Sequence, residues 1–425
     1  MFSEPIERKS VKVDLFDTSA DVEVCLTESG SINTNIPEKV AIDPDEDVND
    51  FFGKNEPKLY KFNGETDSGV SVEFQKTILG TNITLGPNGG LFVKEMSPAI
   101  MVFNSSENFP IVNSKVTVEF DFLCLKPTIP FIERSEPVTL LERDGWSISA
   151  ESLEDREERV DLIKEYRRPL RTATLEVTQE VSGPPCIQVE RALDTLGDII
   201  ELLSFVQGVK PCPFRARVTR IDGQETDFRY EKWITNYSKA VGHAFVGPRI
   251  VWSSDITQFL DEAYDDYAEG SRDRYRLNMV INWYLDALNN TRTIDAKFAS
   301  ICSGIELLAK RYSDLGPEHS ATEDRIKHLV NELGVEVRDL AEFAGSFENS
   351  KLDDDEYANE YFHYQARQYV MHGDNLRIPS NGLFKDYEAG IRYFQRLLRN
   401  QLVDPGDLDK YSSLSELMPE DNRYK

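Results

Sequence analysis

Arg367 and His372 are the residues of this chain whose types and spacing come closest to a catalytic pair. They lie in the string 367–373, which reads Arg-Gln-Tyr-Val-Met-His-Gly and ends a helix-like run that begins near Asp355. On an ideal helix, five residues correspond to about 140° of rotation and about 7.5 Å of rise, so the two side chains do not stack directly. Gly373 is a typical left-handed helix end. We therefore expect the imidazole to lie at the last turn, from which it can turn back toward the preceding turn.

A guanidinium and an imidazole suffice in principle to cleave RNA through its own 2′-hydroxyl without a metal. A neutral imidazole accepts the 2′-hydroxyl proton, and an imidazolium protonates the leaving oxygen. The guanidinium stays charged and donates two parallel hydrogen bonds to phosphate oxygens. The negative potential at a helix C-terminus favours the charged imidazole. One site holds a single histidine, so two symmetry-related copies across a dimer seam would supply both the acid and the base.

Gln368 and His363 share helix faces with the pair. Gln368 precedes His372 by four residues, so its amide lies beneath the imidazole and could hold it in one tautomer. His363 precedes Arg367 by four residues and shares its face. The alternative is an ordinary helix end, at which the side chains of Arg367 and His372 pair with nearby carboxylates.

Other kinds of site have weaker support in the sequence. The chain contains neither a Gly-x-Ser-x-Gly nucleophile elbow nor a His-Glu-x-x-His zinc motif. Its five cysteines are scattered, which indicates reduced and mostly buried thiols rather than metal ligands. The acidic run 353–356 could bind a divalent ion, but a solvated helix start is the favoured interpretation. We therefore predict no metal site and no bound cofactor.

The composition describes a globular and strongly acidic protein. The 425 residues carry a formal net charge of −27. This charge repels nucleic acid at long range, so any contact with RNA requires a local basic patch. A diffuse acidic surface also suits high-salt environments, in which the Debye length falls to about 3 Å and the repulsion largely vanishes. A halophilic source and an ordinary acidic protein are the two interpretations.

The sequence predicts a cytoplasmic location. No apolar run approaches the length of a membrane span, so we expect no membrane partner. The N-terminal residues lack the basic region followed by an apolar region that marks a signal peptide.

The first half of the chain has the alternation of apolar and polar residues that predicts half-buried strands. The glycine-rich string 86–90 predicts a hairpin turn, because it lacks the Gly-Lys-Ser/Thr ending of a phosphate loop. The string 215–220 predicts a strand with a basic face. This face could touch phosphates, but we interpret it as a solvated face that pairs with local acid. The other predicted strands are 10–16, 70–74, 90–94, 99–103, 116–124 and 174–181.

Helical spacing dominates after about Gly247. Before that point, one apolar stripe from Val189 to Leu203 predicts a helix that interrupts the strands, with Gly208 as a suitable C-cap. Short connections between five or six amphipathic helices in the second half predict an up-and-down bundle. The stripes of this half predict helices over 256–267, 272–289, 294–312, 322–333, 356–371 and 383–402.

These patterns predict an α+β fold in which strands and helices are segregated along the chain. A β-sandwich-like N-terminal domain is expected over residues 1–247, followed by a linking helix over 248–271. An all-α, up-and-down helical bundle is expected over 272–404, and a loosely ordered tail over 405–425.

The Arg-x4-His string at the end of a late bundle helix, followed directly by Gly373, resembles the motif of the HEPN superfamily, whose name refers to higher eukaryotes and prokaryotes nucleotide-binding. The resemblance covers roughly Arg272 to Leu402. The helix that carries residues 301–308 resembles the second main helix of the family, in which a glutamate often has an apolar setting similar to that of Glu306. The β-rich half, ending in the helix 189–207, resembles the N-terminal domain of ApeA-like proteins. Those proteins couple such a domain to a C-terminal HEPN bundle and are associated with abortive-infection defence against phage.

The resemblance implies a metal-independent endoribonuclease that acts on RNA as a homodimer through its C-terminal HEPN-like bundle. It assigns the catalytic roles to Arg367 and His372, with Gln368, His363 and Glu306 in support. Active members usually have Asn, Asp or His directly after the arginine, where this chain has Gln368. The resemblance further implies an antiphage effector whose N-terminal domain is sensing or regulatory and responds to a phage-derived trigger. The alternative is a non-catalytic HEPN module for dimerisation or nucleotide binding, coupled to a ligand-sensing β domain.

Overall fold

The structure, a computed structural model, combines antiparallel strands with helices. Strands dominate the described residues up to 234, and helices dominate from 253 onward, which confirms the mixed α and β composition that the sequence predicts. The structure describes residues 3–15, 18–36, 40–42, 59–84, 90–104, 114–125, 137–166, 168–181, 183–225, 230–235, 253–289, 292–312, 322–335 and 380–403.

Fifteen strands lie within the described residues, and all of the strands predicted from the sequence are among them. Most of the predicted hairpin turn 86–90 lies outside the described residues; the strands that end at Thr84 and begin at Gly90 pair antiparallel. The strands are β1 Pro5–Leu15, β2 Thr18–Thr27, β3 Ile32–Asn35, β4 Val40–Ile42, β5 Tyr60–Thr66, β6 Ser71–Thr84, β7 Gly90–Ser97, β8 Ile100–Asn104, β9 Ser114–Leu123, β10 Val138–Arg143, β11 Trp146–Ser152, β12 Arg171–Val181, β13 Cys212–Ile221, β14 Gln224–Glu225 and β15 Tyr230–Ile234.

The strands are joined along one hydrogen-bonded path. Its order is β10-β11-β12-β9-β13-β15-β8-β6-β5-β1-β2-β3, with β14, β4 and β7 paired beside it. Side chains of β1 nevertheless contact β13 and β15, from which β1 is distant in this order, so the path folds back on itself. The described strands therefore do not divide into two separately paired sheets, and the β-sandwich-like description is not confirmed in that form.

The burial pattern explains which strands face solvent. Val11, Val13 and Leu15 of β1 are fully buried and alternate with exposed residues, as a strand with one buried face requires. In β9 nearly every residue is buried, including Phe120 and Phe122, so both faces of this strand are covered. Strand β9 pairs with β12 on one side and β13 on the other and forms the centre of the β core.

Two helices interrupt the strands. Helix α1 spans Arg156–Tyr166, and helix α2 spans Pro185–Gln207. Helix α2 covers the predicted stripe, and Gly208 follows it with a φ of 64°, which confirms the predicted left-handed C-cap. The side-chain amide of Gln179 in β12 donates a hydrogen bond of 2.9 Å to the carbonyl oxygen of Gln188 in the first turns of α2.

The second half is helical throughout its described part. Helix α6 has the bounds predicted from the sequence, and α7 and α8 agree with their predictions to within a few residues; the predicted helix 356–371 lies outside the described residues. No helix in the described ranges is both long and apolar enough to span a membrane. The elements are α3 Ser253–Asp266, a π-helical turn Tyr267–Ser271, α4 Arg272–Arg274, α5 Leu277–Leu288, α6 Ile294–Tyr312, α7 Thr322–Glu332 and α8 Ser380–Leu402.

The predicted helix 272–289 is broken near its start. Arg276 adopts a left-handed conformation with a φ of 56°, so α4 ends at Arg274 and α5 begins at Leu277. The preceding π-helical turn contains Gly270 at a φ of 144°, a value that glycine tolerates because it lacks a Cβ atom. Gly270 lies between two predicted helices, so the break at Arg276 is the one that interrupts a helix predicted as continuous.

The chain divides into two compact units. The β-rich unit comprises Met1–Pro127, Arg134–Thr195 and Pro211–Lys239, and the helical unit comprises Thr128–Glu133, Leu196–Lys210 and Ala240–Lys425. The division falls within α2, so the second half of that helix belongs with the later helices. The sequence analysis assigned the whole of this helix to the β-rich region.

Candidate functional site

The predicted catalytic string falls in a part of the chain that the structure does not describe. Arg367, His372, Gln368 and His363 all lie outside the described residues. Their positions and contacts therefore stay predictions from the sequence. The described helices on either side of the string are α7, which ends at Glu332, and α8, which begins at Ser380.

Glu306 is the one predicted site residue that the structure describes. It lies in the second half of α6 and is half-buried. Its neighbours Ile305 and Leu308 are buried, and the supporting role of Glu306 stays a prediction. The turn of α6 that carries Glu306 also carries Gly304, which determines how closely the next helix approaches.

Helix α6 packs against α8 at a point where two glycines remove side-chain bulk. A Cβ atom at Gly304 would lie 2.2 Å from Cζ of Phe394, well inside van der Waals contact. A Cβ atom at Gly390 would lie 3.2 Å from Cε2 of Phe298. Phe394 and Phe298 are both buried, so neither ring has space into which it can retreat. The close approach of α6 and α8 therefore depends on these two glycines.

Helix α5 is joined to α8 by two side-chain hydrogen bonds. The amide of Gln395 donates to the hydroxyl oxygen of Tyr284 at 2.7 Å, and the hydroxyl of Tyr387 donates to the carbonyl oxygen of Ala287 at 3.1 Å. The rings of Tyr284 and Phe394 meet edge to face, with centroids 5.9 Å apart. Burial raises the pKa of Tyr284 to about 12, so its hydroxyl stays protonated near neutral pH.

A cluster of polar side chains surrounds the π-helical turn. The hydroxyl of Tyr267 donates to a carboxylate oxygen of Glu201 at 2.6 Å, and Nε of Arg272 donates to the same oxygen at 2.9 Å. Arg272 also forms an ion pair of 3.1 Å with Asp198. Burial and the charge of Glu201 raise the pKa of Tyr267. Although π-helical turns often occur at functional sites, these contacts account for the cluster as an anchor between α2 and the turn.

Helix α8 carries three arginines along one side. Arg392, Arg396 and Arg399 follow at intervals of four and three residues, which places them within one stripe of the helix. All three are half-buried, whereas Phe394, Leu397 and Leu398 on the other side are fully buried. We call these three residues the arginine face of α8.

Charged side chains form a cluster within the β-rich unit. Asp121, Arg215 and Glu231 are buried, and Glu7 and Lys9 are half-buried. We call these five residues the buried charge cluster. Arg215 contacts Glu7, donates through Nε to Glu231 at 2.5 Å and lies 3.5 Å from Asp121. Lys9 pairs with Glu231 at 2.6 Å and with Glu7 at 2.9 Å. Asp121 is only 2% exposed, so its charge depends on cationic partners inside the protein, of which Arg215 is one.

Aromatic rings border the buried charge cluster. The ammonium group of Lys9 lies 4.0 Å from the ring centroid of Phe103, a cation–π contact. The indole N–H of Trp233 donates to Glu231 at 2.6 Å. Burial alone would raise the pKa of the Glu231 carboxyl, but the charges of Arg215 and Lys9 outweigh it and hold that pKa below its ordinary value.

The predicted pairing of the basic strand with acid is confirmed, but its description as a solvated face is wrong for Arg215, which is buried among its partners. Besides Arg215, Arg217 of β13 contacts Glu119, and Arg220 pairs with Glu176 at 2.5 Å. These arginines are therefore neutralised within the sheet, and they leave little positive charge for a phosphate. The sequence did not identify the acidic partners of these arginines. Glu231 offered a signal, because it is an acidic residue within two positions of the aromatic residues Tyr230 and Trp233.

A second group of ion pairs ties α1 to the strands. Arg159 of α1 pairs with Glu28 at 2.8 Å and with Asp155 at 2.7 Å. Arg171 of β12 reaches Asp121 at 3.0 Å, which connects this group to the buried charge cluster. Within the described ranges, no set of three or more His, Cys, Asp or Glu side chains is arranged to hold a metal ion.

Comparison of the chain with family models, with curated proteins and with solved structures yields no match.

Proposed function

We propose that this chain is a metal-independent endoribonuclease of the HEPN type, in which Arg367 and His372 cleave RNA at the seam of a homodimer. The observation that carries the proposal is the sequence itself: an arginine, four residues, a histidine and then Gly373. The spacing and the glycine match the family motif, and the two side chains supply the chemistry that metal-free RNA cleavage needs.

The described helices are consistent with this assignment. Helix α6 packs against α5, α7 and α8, as a central helix of a bundle does. Glu306, to which the resemblance assigns a supporting role, lies in α6 beside the buried Ile305 and Leu308. The motif string lies in sequence between α7 and α8, at the position where a late helix of such a bundle would occur.

In the proposed reaction the RNA supplies its own nucleophile. The neutral imidazole of one His372 removes the 2′-hydroxyl proton, and the oxygen attacks the adjacent phosphorus. Arg367 donates hydrogen bonds to the phosphoryl oxygens as their negative charge increases. The His372 imidazolium of the second copy protonates the leaving 5′-oxygen. Two copies facing each other therefore account for both proton transfers.

The cellular role that we propose is abortive-infection defence. A constitutively active ribonuclease would harm its own host, so the activity is expected to stay latent in the cytoplasm until a phage-derived trigger acts on the β-rich unit. Growth arrest on expression without infection would contradict this latency.

A second candidate function is favoured by Gln368. Active members of the family usually carry Asn, Asp or His at this position, and a longer amide alters how the adjacent imidazole is held. In that case the bundle would serve dimerisation or nucleotide binding without cleavage, and the β-rich unit would sense a ligand.

RNA cleavage by purified wild type and by His372→Ala tests the proposal. We expect wild type to cleave single-stranded RNA in the presence of a metal chelator and the variant to lose at least about 100-fold in rate, since general acid–base catalysis contributes about 10²–10⁴-fold. The reactions should be run at low and at molar salt, and with and without lysate from phage-infected cells.

His328→Ala is the matched control, because it removes a half-buried histidine from α7 without touching the motif. It should cleave like wild type. If neither wild type nor the control cleaves RNA under any of these conditions while all three proteins are folded dimers, the second candidate function replaces the first.

A further inference from the structure

Two short strings of the helical unit bring four cations and two tyrosines together. Residues 274–276 read Arg-Tyr-Arg at the junction of α4 and α5, and residues 310–312 read Lys-Arg-Tyr at the end of α6. The rings of Tyr275 and Tyr312 are stacked, with their centroids 5.4 Å apart and an angle of 27° between their planes. This contact joins two strings that are distant in the sequence. We call these six residues the tyrosine–cation patch.

The cations of the patch are exposed to solvent and are Arg274, Arg276, Lys310 and Arg311. The guanidinium carbon of Arg274 lies 5.0 Å from the ring centroid of Tyr275, which is a cation–π contact. Among the residues that the structure describes, no carboxylate lies within ion-pair distance of any of these four side chains. The patch is therefore positively charged within a chain whose net charge is −27.

The acidic side chains around the patch leave this charge in place. Asp273 precedes Arg274 and is exposed, and Glu332 of α7 lies near Tyr312. Burial raises the pKa of Tyr312, and the adjacent Tyr275 and the charge of Glu332 raise it further, so this phenol stays protonated near neutral pH. Even when both carboxylates are counted, the cations of the patch outnumber them.

The electrostatics of the helix ends account for only part of this arrangement. Lys310 and Arg311 occupy the last turn of α6, where the helix dipole favours cations. Arg276 is instead the N-cap of α5, and the dipole disfavours a cation at that end of a helix. The φ of 56° at Arg276 is also a conformation that residues with a Cβ atom rarely adopt. Unfavourable features of this kind concentrate at positions that bind ligands.

Stacked aromatic rings beside exposed cations form the combination that binds single-stranded nucleic acids. Unpaired bases stack on aromatic side chains, and the phosphates contact arginine and lysine. The positive end of α5, at Arg276, adds a further attraction for phosphate. A duplex cannot use the rings in this way, because its bases are already stacked on one another. An acidic peptide would use the cations but would not need the rings.

We propose that the tyrosine–cation patch binds single-stranded RNA, with an unpaired base stacked on its tyrosines and phosphates held by its cations. This inference rests on the proposed ribonuclease function, for which it supplies a substrate-binding surface. The patch holds an unpaired stretch of RNA without reading its sequence, because every base has a face that can stack. Cleavage depends on Arg367 and His372, so binding and cleavage should be separable by substitution.

RNA binding is measured separately from cleavage. The parent protein is His372→Ala, so that RNA stays intact, and the probe is a short fluorescein-labelled oligouridylate observed by fluorescence anisotropy across a salt titration. Adding Lys310→Gln and Arg311→Gln should weaken binding and reduce the slope of log K against log salt by about 1.4, since each lost phosphate contact on a single strand contributes about 0.7. A parent that binds no RNA would overturn the inference.

The matched control removes two exposed lysines of the β-rich unit. Lys12 lies in β1, and Lys115 lies in β9. Lys12→Gln together with Lys115→Gln changes the net charge by the same amount, and it should leave the salt slope of the parent unchanged. Equal slopes for the two double variants would show that RNA binding follows the net charge rather than the patch, and the inference would be wrong.

The contribution of the rings is tested at Tyr312. Tyr312→Leu keeps an apolar side chain but removes the aromatic face, and it should weaken RNA binding about 5–150-fold at an unchanged salt slope, which is the range for stacking one base on a ring. Tyr312→Phe retains the ring and should bind RNA as the parent does.

Inorganic polyphosphate separates stacking from a structural role of Tyr312. Polyphosphate carries charge but no bases, so Tyr312→Leu should leave its binding, measured by isothermal titration calorimetry, as it is in the parent. Equal weakening of RNA and polyphosphate binding would mean that the ring only positions the cations, and the proposed stacking would be overturned. If Tyr312→Leu does not fold, the variants of the exposed Lys310 and Arg311 still decide whether the patch binds RNA.

Competition identifies the class of anion. Unlabelled oligouridylate should displace the probe, the same oligomer annealed to oligoadenylate should displace it less well, and polyglutamate at equal charge should not displace it. Displacement by all three with equal efficiency would mean that the patch attracts any polyanion, and the RNA assignment would be wrong. Because the parent lacks His372, this outcome does not depend on whether the wild type cleaves RNA.

Discussion

The β-rich unit and the helical unit place their charges in opposite ways. In the β-rich unit the buried charge cluster lies between strands, and Asp121 and Arg215 are almost completely withdrawn from water. In the helical unit the interior is apolar and closely packed around Gly304 and Phe394, and the arginine face of α8 is only half-buried. The β-rich unit places ion pairs in its interior, whereas the ion pairs of Arg272 and Arg292 in the helical unit are partly exposed to solvent.

The two units should therefore be destabilised by different kinds of substitution. A buried ion pair adds little stability beyond that of an apolar replacement, but removal of one partner leaves a charge that the interior cannot solvate. A close-packed helix contact is insensitive to charge but cannot accept additional volume. Substitutions that remove charge should therefore harm the β-rich unit most, and substitutions that add volume should harm the helical unit most.

The largest expected effect is that of Arg215→Met. This change removes the cation shared by Glu7, Glu231 and Asp121, and we expect it to lower the free energy of unfolding of the β-rich unit by about 3–5 kcal/mol. Urea unfolding followed by far-UV circular dichroism measures the change.

Arg220→Met is the control for this experiment. Arg220 lies on the same strand and pairs with Glu176, but its side chain is 43% exposed. The expected loss is below about 1 kcal/mol, since water screens an exposed pair. Equal losses for both variants would show that burial does not decide the cost of removing these charges.

A smaller effect is expected for Gly304→Ala. The added methyl group would lie 2.2 Å from the Phe394 ring, so the helices must separate or the ring must leave its rotamer. We expect a loss of about 1–3 kcal/mol, even though alanine favours helix formation by about 1 kcal/mol over glycine. Thermal unfolding of the full chain measures the difference.

Gly197→Ala in α2 should have the opposite sign. Apart from its chain neighbours and the backbone of its own helix, no atom of the described residues lies within 4 Å of the position that its Cβ would occupy. Only the gain in helix propensity therefore remains. We expect a gain of up to about 1 kcal/mol. A gain for both glycine substitutions would contradict the close approach of α6 and α8.

The free energy of unfolding of the two units should also depend on pH in different ways. The expected change in this free energy is smallest near neutral pH. The pKa of Glu231 is held below its ordinary value in the folded state, so its contribution is present above the unfolded pKa and is lost as pH falls through the folded pKa. Burial raises the pKa of Tyr284 to about 12, so its contribution is complete below the unfolded pKa near 10 and is lost as pH rises toward 12.

Acid should therefore unfold the β-rich unit first, because Glu231 lies in that unit. Alkali should not separate the units, because burial also raises the pKa of Tyr230 in β15. In a Trp252→Phe background, tryptophan fluorescence comes from Trp146 and Trp233 of the β-rich unit and from Trp283 of α5, and a further Trp283→Phe change separates the two contributions. Loss of both signals at the same acidic pH would show that the units do not differ in this way.

The sequence predicts the helices and strands well where a single periodic pattern decides them. Helix α6 has the predicted bounds because its apolar residues repeat at helical spacing along its whole length. The break at Arg276 was not predicted, because neither Tyr275 nor Arg276 is a helix-breaking residue type, and the left-handed conformation depends on tertiary packing.

Sequence patterns do not reveal which residues form ion pairs when they lie far apart in the chain. The basic face of β13 was recognised, and its neutralisation by acid was predicted, but the particular partners were not. Glu7 and Arg215 are far apart in the sequence, and no local pattern connects them. For the candidate site, the motif predicts residue roles. The role of Glu306 and the geometry of Arg367 and His372 stay predictions.

The contact between Glu7 and Arg215 also has a consequence for synthesis of the chain. The two residues are 208 positions apart, so at about 5–20 residues per second the ribosome delivers Arg215 roughly 10–40 s after Glu7. Strand β1 can pair with β2 early, but Val11, Val13 and Leu15 wait for the later strands to cover them. During that interval the nascent chain exposes the apolar face of β1 and charged side chains whose partners have not yet been synthesised. We expect a nascent chain in this state to bind a ribosome-associated chaperone.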